Sequence, residues 1–331
     1  MRAVFLSMSF RFRVEVEALN MVEAMGAYSR HRTVSLLKPR GDGKGYRLVI
    51  APAVSGQAVA YGYMKSLVDL ALRKNLPVCD QCRGYEARGG FIKHGTDASG
   101  DLETLVKNCV VEDVTGFMIA QALVRRTSPI QFSYMVPDID TSDVAIDPQF
   151  HVRGAKPGEN PQPFQVESGT AVYMLGIALD IDKIGAVPGS DGKPKIVVDN
   201  RLERIRVAIQ AIASLLEGLS FGAKKARYLP IYEVVGGVVA VSHPIPFMVS
   251  PARVTKTENY IVKTVARASN YVKLFKNENE VIKIFYMDRE GIAPEPGVKA
   301  EGVDVEKVGD VAELTSKIIE FVENSVGSKS G

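Results

Sequence analysis

Tryptophan is missing from the 331 residues, and cysteine and histidine are scarce, at three and four. So few cysteines, and an odd number, make no disulfide framework and suit a reducing cytoplasm. Nowhere does the sequence approach the ~18 uninterrupted apolar residues of a membrane span. Arg11, Arg13, Glu15 and Glu17 interrupt what would be the apolar core of a signal peptide. Charge of one sign is lacking as well: 41 Lys and Arg against 38 Asp and Glu leave a formal +3. With 46% hydrophobic residues, that balance excludes disorder as the general description. Neither a G-x-x-x-x-G-K-[S/T] phosphate loop nor a short-period repeat is found.

What is present is uneven in its charge. Eight Lys/Arg face four Asp/Glu between Arg2 and Lys44, and six face two between Arg201 and Pro230. Clusters of this kind are the footprint of phosphate contacts, although a solvated charged face has the same composition.

Hydrophobic periodicity places the elements. Val4, Leu6, Met8, Phe10, Phe12, Val14, Val16 and Ala18 alternate with Ser7, Ser9, Arg11, Arg13, Glu15 and Glu17. The pattern predicts a long strand with one core face and a second face that offers Arg11 and Arg13 to solvent or a ligand. Tyr46–Ala51 reads as a strand, followed by a helix from Ser55, its N-cap, to about Lys74. Residues 75–112 read as a mixed insertion, and Arg125–Ser133 as a turn entering a strand. Five prolines fall between Pro137 and Pro163, which predicts a mobile connection outside any central sheet, with residues 137–168 as a second insertion.

Gly169–Asp182 resumes as a strand, and Leu202–Gly218 as an amphipathic helix with Arg204 and Arg206 off its apolar face. Ile231–Val241 and Val281–Met287 read as strands, and a C-terminal helix lies within 305–325. The order predicts an α+β fold: a single RRM-like (ferredoxin-like) antiparallel sheet core with large inserted subdomains.

The most telling stretch is Leu219-Ser220-Phe221-Gly222-Ala223-Lys224-Lys225-Ala226-Arg227-Tyr228. A small-residue turn lets a phosphodiester approach closely while Lys224, Lys225 and Arg227 neutralise it. The first strand offers Ser7, Ser9, Arg11 and Arg13 rather than aromatic platforms, which favours backbone tracking over stacked base readout. Cys79-x-x-Cys82 with His94 and Cys109 could make a Cys₃His zinc site, a local disulfide or redox pair, or ordinary cysteines. The irregular spacing favours the last, so zinc is expected to be dispensable and no cofactor is predicted. His31 sits in a basic Arg30-His31-Arg32 patch, and His151 lies beside Arg153 in the proline-rich stretch. There Phe150 would tack the chain down while His151 and Arg153 face a phosphate backbone or a neighbouring subunit.

Ala18-Leu19-Asn20, Pro52–Gly56, Leu76–Cys79, Arg125–Pro129, Pro148–Arg153 and the late glycine-basic loop recur in order over residues 5–235. In that order they resemble the DevR-type autoregulator family of CRISPR-associated proteins, and most of all its archaeal type I-A Cascade backbone subunits. The resemblance implies a non-catalytic protein in the cytoplasm that oligomerises helically along crRNA, supports pairing with target DNA, meets other Cascade subunits and binds no membrane. Added to the basic residues above, it implies an RNA-binding set of Arg11, Arg13, Asn20, Ser55, Gly56, Gln57, Arg125, Arg126, His151, Arg153, Lys224, Lys225 and Arg227. Two other readings compete: an RNA endonuclease of the same superfamily using His151 or His31, and a zinc-organised module that binds no RNA.

Overall fold

The first strand sets the frame. The computed structural model describes residues 4–25, 27–93, 100–154, 157–158, 160–278, 280–294 and 297–327. Strand β1 (Phe5–Glu17) buries Leu6, Met8, Phe10, Phe12 and Val14 on one side, as alternation requires. Two hairpins follow, β2 (Met21–Met25) with β3 (Tyr28–His31), then β4 (Thr33–Pro39) with β5 (Tyr46–Pro52). Ser55 then caps α1 (Gly56–Arg73), its side chain accepting from the Ala58 N–H, and Val59, Tyr63, Leu67 and Ala71 join the core.

Short helices α2 (Asp80–Arg83), α3 (Leu102–Asn108) and α4 (Val110–Thr115) come next, then the small ribbon β6 (Phe117–Ile119) and β7 (Val124–Arg126). Strands β8 (Ile130–Phe132), β9 (Val136–Pro137) and β10 (Ala145–Arg153) each pair antiparallel with one long strand, β11 (Gln162–Asp180). Beyond it lie the ribbon β12 (Ala186–Pro188) and β13 (Pro194–Ile196), helix α5 (Arg201–Glu217), strand β14 (Ile231–His243) and helix α6 (Tyr260–Leu274). Strands β15 (Val281–Asp288) and β16 (Asp304–Lys307) precede the last helix, α7 (Val311–Gly327).

The main sheet runs β16-β15-β14-β1-β11-β3-β2, with β8, β9 and β10 also on β11. It is mixed, because β3 lies parallel to β11 and β16 parallel to β15. Its middle, β14-β1-β11-β8, is antiparallel throughout, with α1 between β1 and β8 in sequence and α5 between β11 and β14. Val239, Val241, Phe285 and Met287 face the core shared with α1, α5 and α7. Val238, Ala240, Ile282, Ile284 and Tyr286 face a second core built on α6. No helix among the described residues is long and apolar enough to cross a membrane.

Three expectations change. The polar side of β1 is covered: Ser7 Oγ donates to the Phe247 carbonyl at 2.8 Å and Ser9 Oγ accepts from the Ala252 N–H at 2.8 Å. Segment 247–252 therefore lies over the face predicted to be open, and Arg11 is buried beneath it. The proline-rich stretch does not lie wholly outside the sheet: within it Ala145–Arg153 forms β10, which pairs with β11. Pro148 is tolerated because β10 is an edge strand. Arg204, placed off the buried face of α5, is instead almost fully buried. At the C-terminus strand β16 occupies Asp304–Lys307, and the helix runs from Val311. Helix α6 and hairpin β2–β3 had no counterpart in the periodicity reading.

Candidate nucleic-acid interface

The end of β1 is a node of backbone contacts. Leu19 O accepts from the Ala223 N–H and Asn20 O from the Arg32 N–H, each at 2.8 Å, while Asn20 Oδ1 accepts from the Ser55 N–H at 2.7 Å. Three segments thus meet at Leu19-Asn20: the glycine-basic loop, the β3–β4 corner and the start of α1. Beneath the node, Glu17 is wholly buried and holds it together. One of its oxygens accepts from the Leu19 N–H and the other from the Tyr173 hydroxyl, both at 2.7 Å. His31 Nε2 lies 2.6 Å from that second oxygen. Burial opposes protonation of His31, but the hydrogen bond and charge of Glu17 outweigh it and raise the pKa above the usual value.

The loop after α5 takes its shape from Gly222 and Lys224, at φ +89° and +54°. A Cβ on Gly222 would lie 2.5 Å from Leu19 Cδ2, so the loop can touch the node only with glycine there. Lys224 O accepts from the Arg227 and Tyr228 N–H groups at 3.1 and 3.0 Å, closing the turn and leaving the Lys224 and Arg227 side chains exposed. Partial desolvation, with the repulsion of Arg227, lowers the Lys224 pKa. Lys225 folds back, its Nζ donating to the Leu219 carbonyl at 2.5 Å.

Against this loop lie the ends of β10 and β11. Ala27, Ser29, His151, Arg153, Phe164, Lys224, Arg227 and Tyr228 line one cleft of about 440 Å³. His151 stacks on Phe164 at 5.1 Å between ring centres and shares a hydrogen bond with the Tyr228 hydroxyl. The Arg153 guanidinium sits 6.0 Å from the Phe164 ring centre. Four residues singled out from sequence (His151, Arg153, Lys224 and Arg227) therefore converge on one concave, cationic surface with aromatic walls.

The remaining residues of the predicted set divide. Asn20, Ser55 and Gly56 build the node: Ser55 caps α1, and a Cβ at Gly56 would meet the Phe132 carbonyl at 2.9 Å. Gln57 is exposed on the first turn of α1. Arg13 is exposed and lies 3.0 Å from Glu233. Arg125 is exposed in β7, near the Asp180 end of β11. Phe164 and Leu179, at opposite ends of that strand, stand about 50 Å apart along it at ~3.3 Å per residue.

Two of the set are corrected. Arg11 bonds Asp138 and, at 2.7 Å, Glu290, so its charge is neutralised inside the chain. Arg126 is buried too, bonding Asp113, the Ala186 carbonyl at 2.8 Å and the Lys183 carbonyl at 2.6 Å. Phe150 and His151 also exchange roles. Phe150 is exposed, and it is His151 that tacks β10 down. Tyr228 closes the glycine-basic stretch without a role of its own and Phe164 is not singled out by the sequence; only their place across from His151 marks them as walls of the cleft.

A family profile described as "CRISPR-associated negative auto-regulator DevR/Csa2" matches residues 8–265. Among curated proteins, the chain is 34% identical over 310 residues to "CRISPR-associated protein Cas7/Csa2 1" of Saccharolobus solfataricus, covering 87% of this chain and 94% of that one. It is 36% identical over 320 residues to "CRISPR-associated aCascade subunit Cas7/Csa2 2" of the same organism, covering 88% and 95%. A protein of Methanocaldococcus jannaschii called "CRISPR-associated protein Cas7/Cst2/DevR" is 26% identical over 342 residues, covering 96% and 99%. Among solved structures, a chain of a "CRISPR RNA-guided surveillance complex" shares the fold at TM-score 0.50 and 12% identity, covering 96% of this chain and 99% of that one. On the extent of the profile match and the identity to the Saccharolobus proteins, the chain belongs to the DevR/Csa2 family of CRISPR-associated proteins.

Proposed function

We propose that this chain is a non-catalytic RNA-binding backbone subunit of a Cascade-type CRISPR complex. It lies along crRNA beside copies of itself and other subunits, and supports pairing with target DNA. One observation carries the reading: His151, Arg153, Lys224 and Arg227 converge on a single cleft, in a chain whose relatives include a named aCascade subunit. Cations on that surface suit a phosphodiester backbone, and the aromatic walls suit a sugar or an unstacked base.

The strand order β14-β1-β11-β8 with its helical crossovers is read as an RRM-like palm. An ordinary RRM binds single strands on its open sheet face. Here segment 247–252 covers that face, so the proposed contact surface moves to the rim where β1, β10 and the glycine-basic loop meet. Lys224, Arg227, Arg153 and His151 form its centre, Arg13, Gln57, Lys225 and Arg125 lie outside it, and Asn20, Ser55 and Gly56 hold its shape. Against an endonuclease, no carboxylate hydrogen-bonded to His151 is found among the described residues, and the His31 ring is buried against Glu17.

The test is binding of a repeat-derived RNA and an unrelated RNA across a salt series. Affinity for both should fall steeply with salt. The double variant Lys224→Ala/Arg227→Ala should weaken both about equally and flatten the logarithmic salt slope by about 0.7 per cation removed. Affinity confined to one sequence and indifferent to salt would overturn the proposal, as would RNA cleavage abolished by His151→Ala.

A further inference from the structure

We infer that Cys79, Cys82, Cys109 and Glu112 form a structural zinc site, a conclusion that does not depend on the RNA-binding reading. The local chain geometry brings the four together. Cys79 is the N-cap of α2, and its Sγ accepts from the Cys82 N–H at 3.5 Å, a turn that leaves both thiols on one side. Cys109 is the N-cap of α4 and Glu112 lies three residues on, a spacing that stacks two side chains on one helix face. The Val110 N–H donates to the Pro77 carbonyl at 2.9 Å, drawing the two turns together.

The ligand atoms, three sulfurs and one carboxylate oxygen, all lie within 4.8 Å of one another. Glu112 Oε1 is 3.7 Å from the sulfurs of both Cys79 and Cys82. A zinc ion at about 2.3 Å from sulfur and about 2.0 Å from oxygen, in tetrahedral angles, needs sulfur–sulfur edges of ~3.8 Å and sulfur–oxygen edges of ~3.5 Å. The two 3.7 Å sulfur–oxygen separations come close to that edge, and no pair of ligand atoms is farther apart than 4.8 Å. Three soft sulfurs select zinc over magnesium or calcium. Cys82, Cys109 and Glu112 are buried and Cys79 is half-buried, which suits a closed four-ligand site with no open position for chemistry.

Charge supports the same ion. With the ion bound, the three cysteines would be thiolates, and the divalent cation at their centre would offset half of the charge that they and Glu112 carry. Lys93, its Nζ held by the Thr115 and Gly116 carbonyls at 3.0 and 3.1 Å, lies in the field of Cys82 and Cys109 and offsets part of the remaining negative charge. The sequence expectation is thus revised in two respects: zinc belongs to the protein, and its fourth ligand is Glu112. His94 lies outside the described residues. The ion would clip the chain after α1 to α4, the helix that presents Asp113 to Arg126 and Arg204.

The experiment uses the full-length protein purified under reducing conditions without added metal. Elemental analysis should give about one zinc per chain. Titration with a thiol-specific mercurial should release it to a colorimetric chelator. Cobalt exchanged for zinc should give an intense thiolate-to-metal charge-transfer band together with tetrahedral ligand-field bands. Cys82→Ser should bring the zinc content to background. Because that variant can fail to fold, Glu112→Gln is measured beside it and should change the cobalt ligand-field bands while leaving the circular dichroism unchanged. Zinc at background in the folded wild-type protein with no cobalt spectrum would overturn the inference. So would a Cys79–Cys82 disulfide found by mass spectrometry in that same material.

Discussion

Arg11 and Arg13 stand two residues apart on the same side of β1 and have opposite environments. Arg11 is enclosed by Asp138, Glu290, the Thr141 hydroxyl and the Ala252 carbonyl, whereas Arg13 lies in solvent beside Glu233. A local period of two specifies a face; it cannot say that a segment some 240 positions later will cover half of it. The same limit applies to His31, which reads as one more cation of a basic patch and instead sits buried on Glu17. This pair has a pH signature. The folded-state pKa of His31 is raised above its unfolded value, near 6.5, so the stability it contributes is fully present below about pH 6.5 and is lost as pH rises through the folded value. Each unit of that rise is worth about 1.4 kcal/mol. Urea unfolding of the wild type and of His31→Gln, followed from about pH 6 to about pH 9, should therefore give a stability gap that narrows as pH increases. A gap that widened with pH would mean the ring is held neutral.

At the scale of elements, what is legible follows how local the determinants are. The helix from Ser55 and the strand from Ile231 are visible because caps and alternation are local signals. Strand β10 is hidden because Pro148 and the prolines on either side of it argue against a sheet, and only the overhang of β11 gives it an edge to pair with. Of the six basic residues between Arg201 and Pro230, Arg201 and Arg204 turn inward to carbonyls and Asp113, and Arg206 meets Glu323; the three in the loop remain. The glycine-basic loop was legible in composition, and its position over Leu19 was not. Gly222 supplies the test at this scale. Gly222→Ala should lose about 1–3 kcal/mol, since it combines positive-φ strain with the approach to Leu19, and RNA affinity should drop as Lys224 and Arg227 shift. Gly43→Ala, at φ +71° with nothing within 4 Å of its added Cβ, isolates the strain alone. Thermal unfolding and RNA titration of the pair check it: equal losses in both proteins would mean that the Leu19 contact is irrelevant.

For the whole molecule, hairpin β4–β5 is the part that the single chain leaves unexplained. Its register sets Ser35 opposite Ile50, Leu37 opposite Leu48 and Pro39 opposite Tyr46, so all six share one face. Leu37, Tyr46, Leu48 and Ile50 on that face are each more than half exposed, at 56, 63, 70 and 68%. Close to β5, Phe150 and Val152 of β10 are exposed as well. Contiguous apolar surface of this sort is unfavourable in water at about 25 cal/mol per Å² and marks an interface. A second copy bound along the same RNA is the partner that the proposed function supplies, and the Lys38, Arg40, Lys44 and Arg47 cations on the hairpin suit a position over the RNA between copies. Leu48→Ser with Ile50→Ser should leave the monomer folded, because neither side chain is buried. One copy should still bind a short RNA with affinity close to that of the wild type. On RNAs of increasing length, native mass spectrometry should show the wild type adding subunits in proportion and the variant stopping early. Assembly of the variant to full length, with unchanged cooperativity, would assign the apolar face to some partner other than the neighbouring copy.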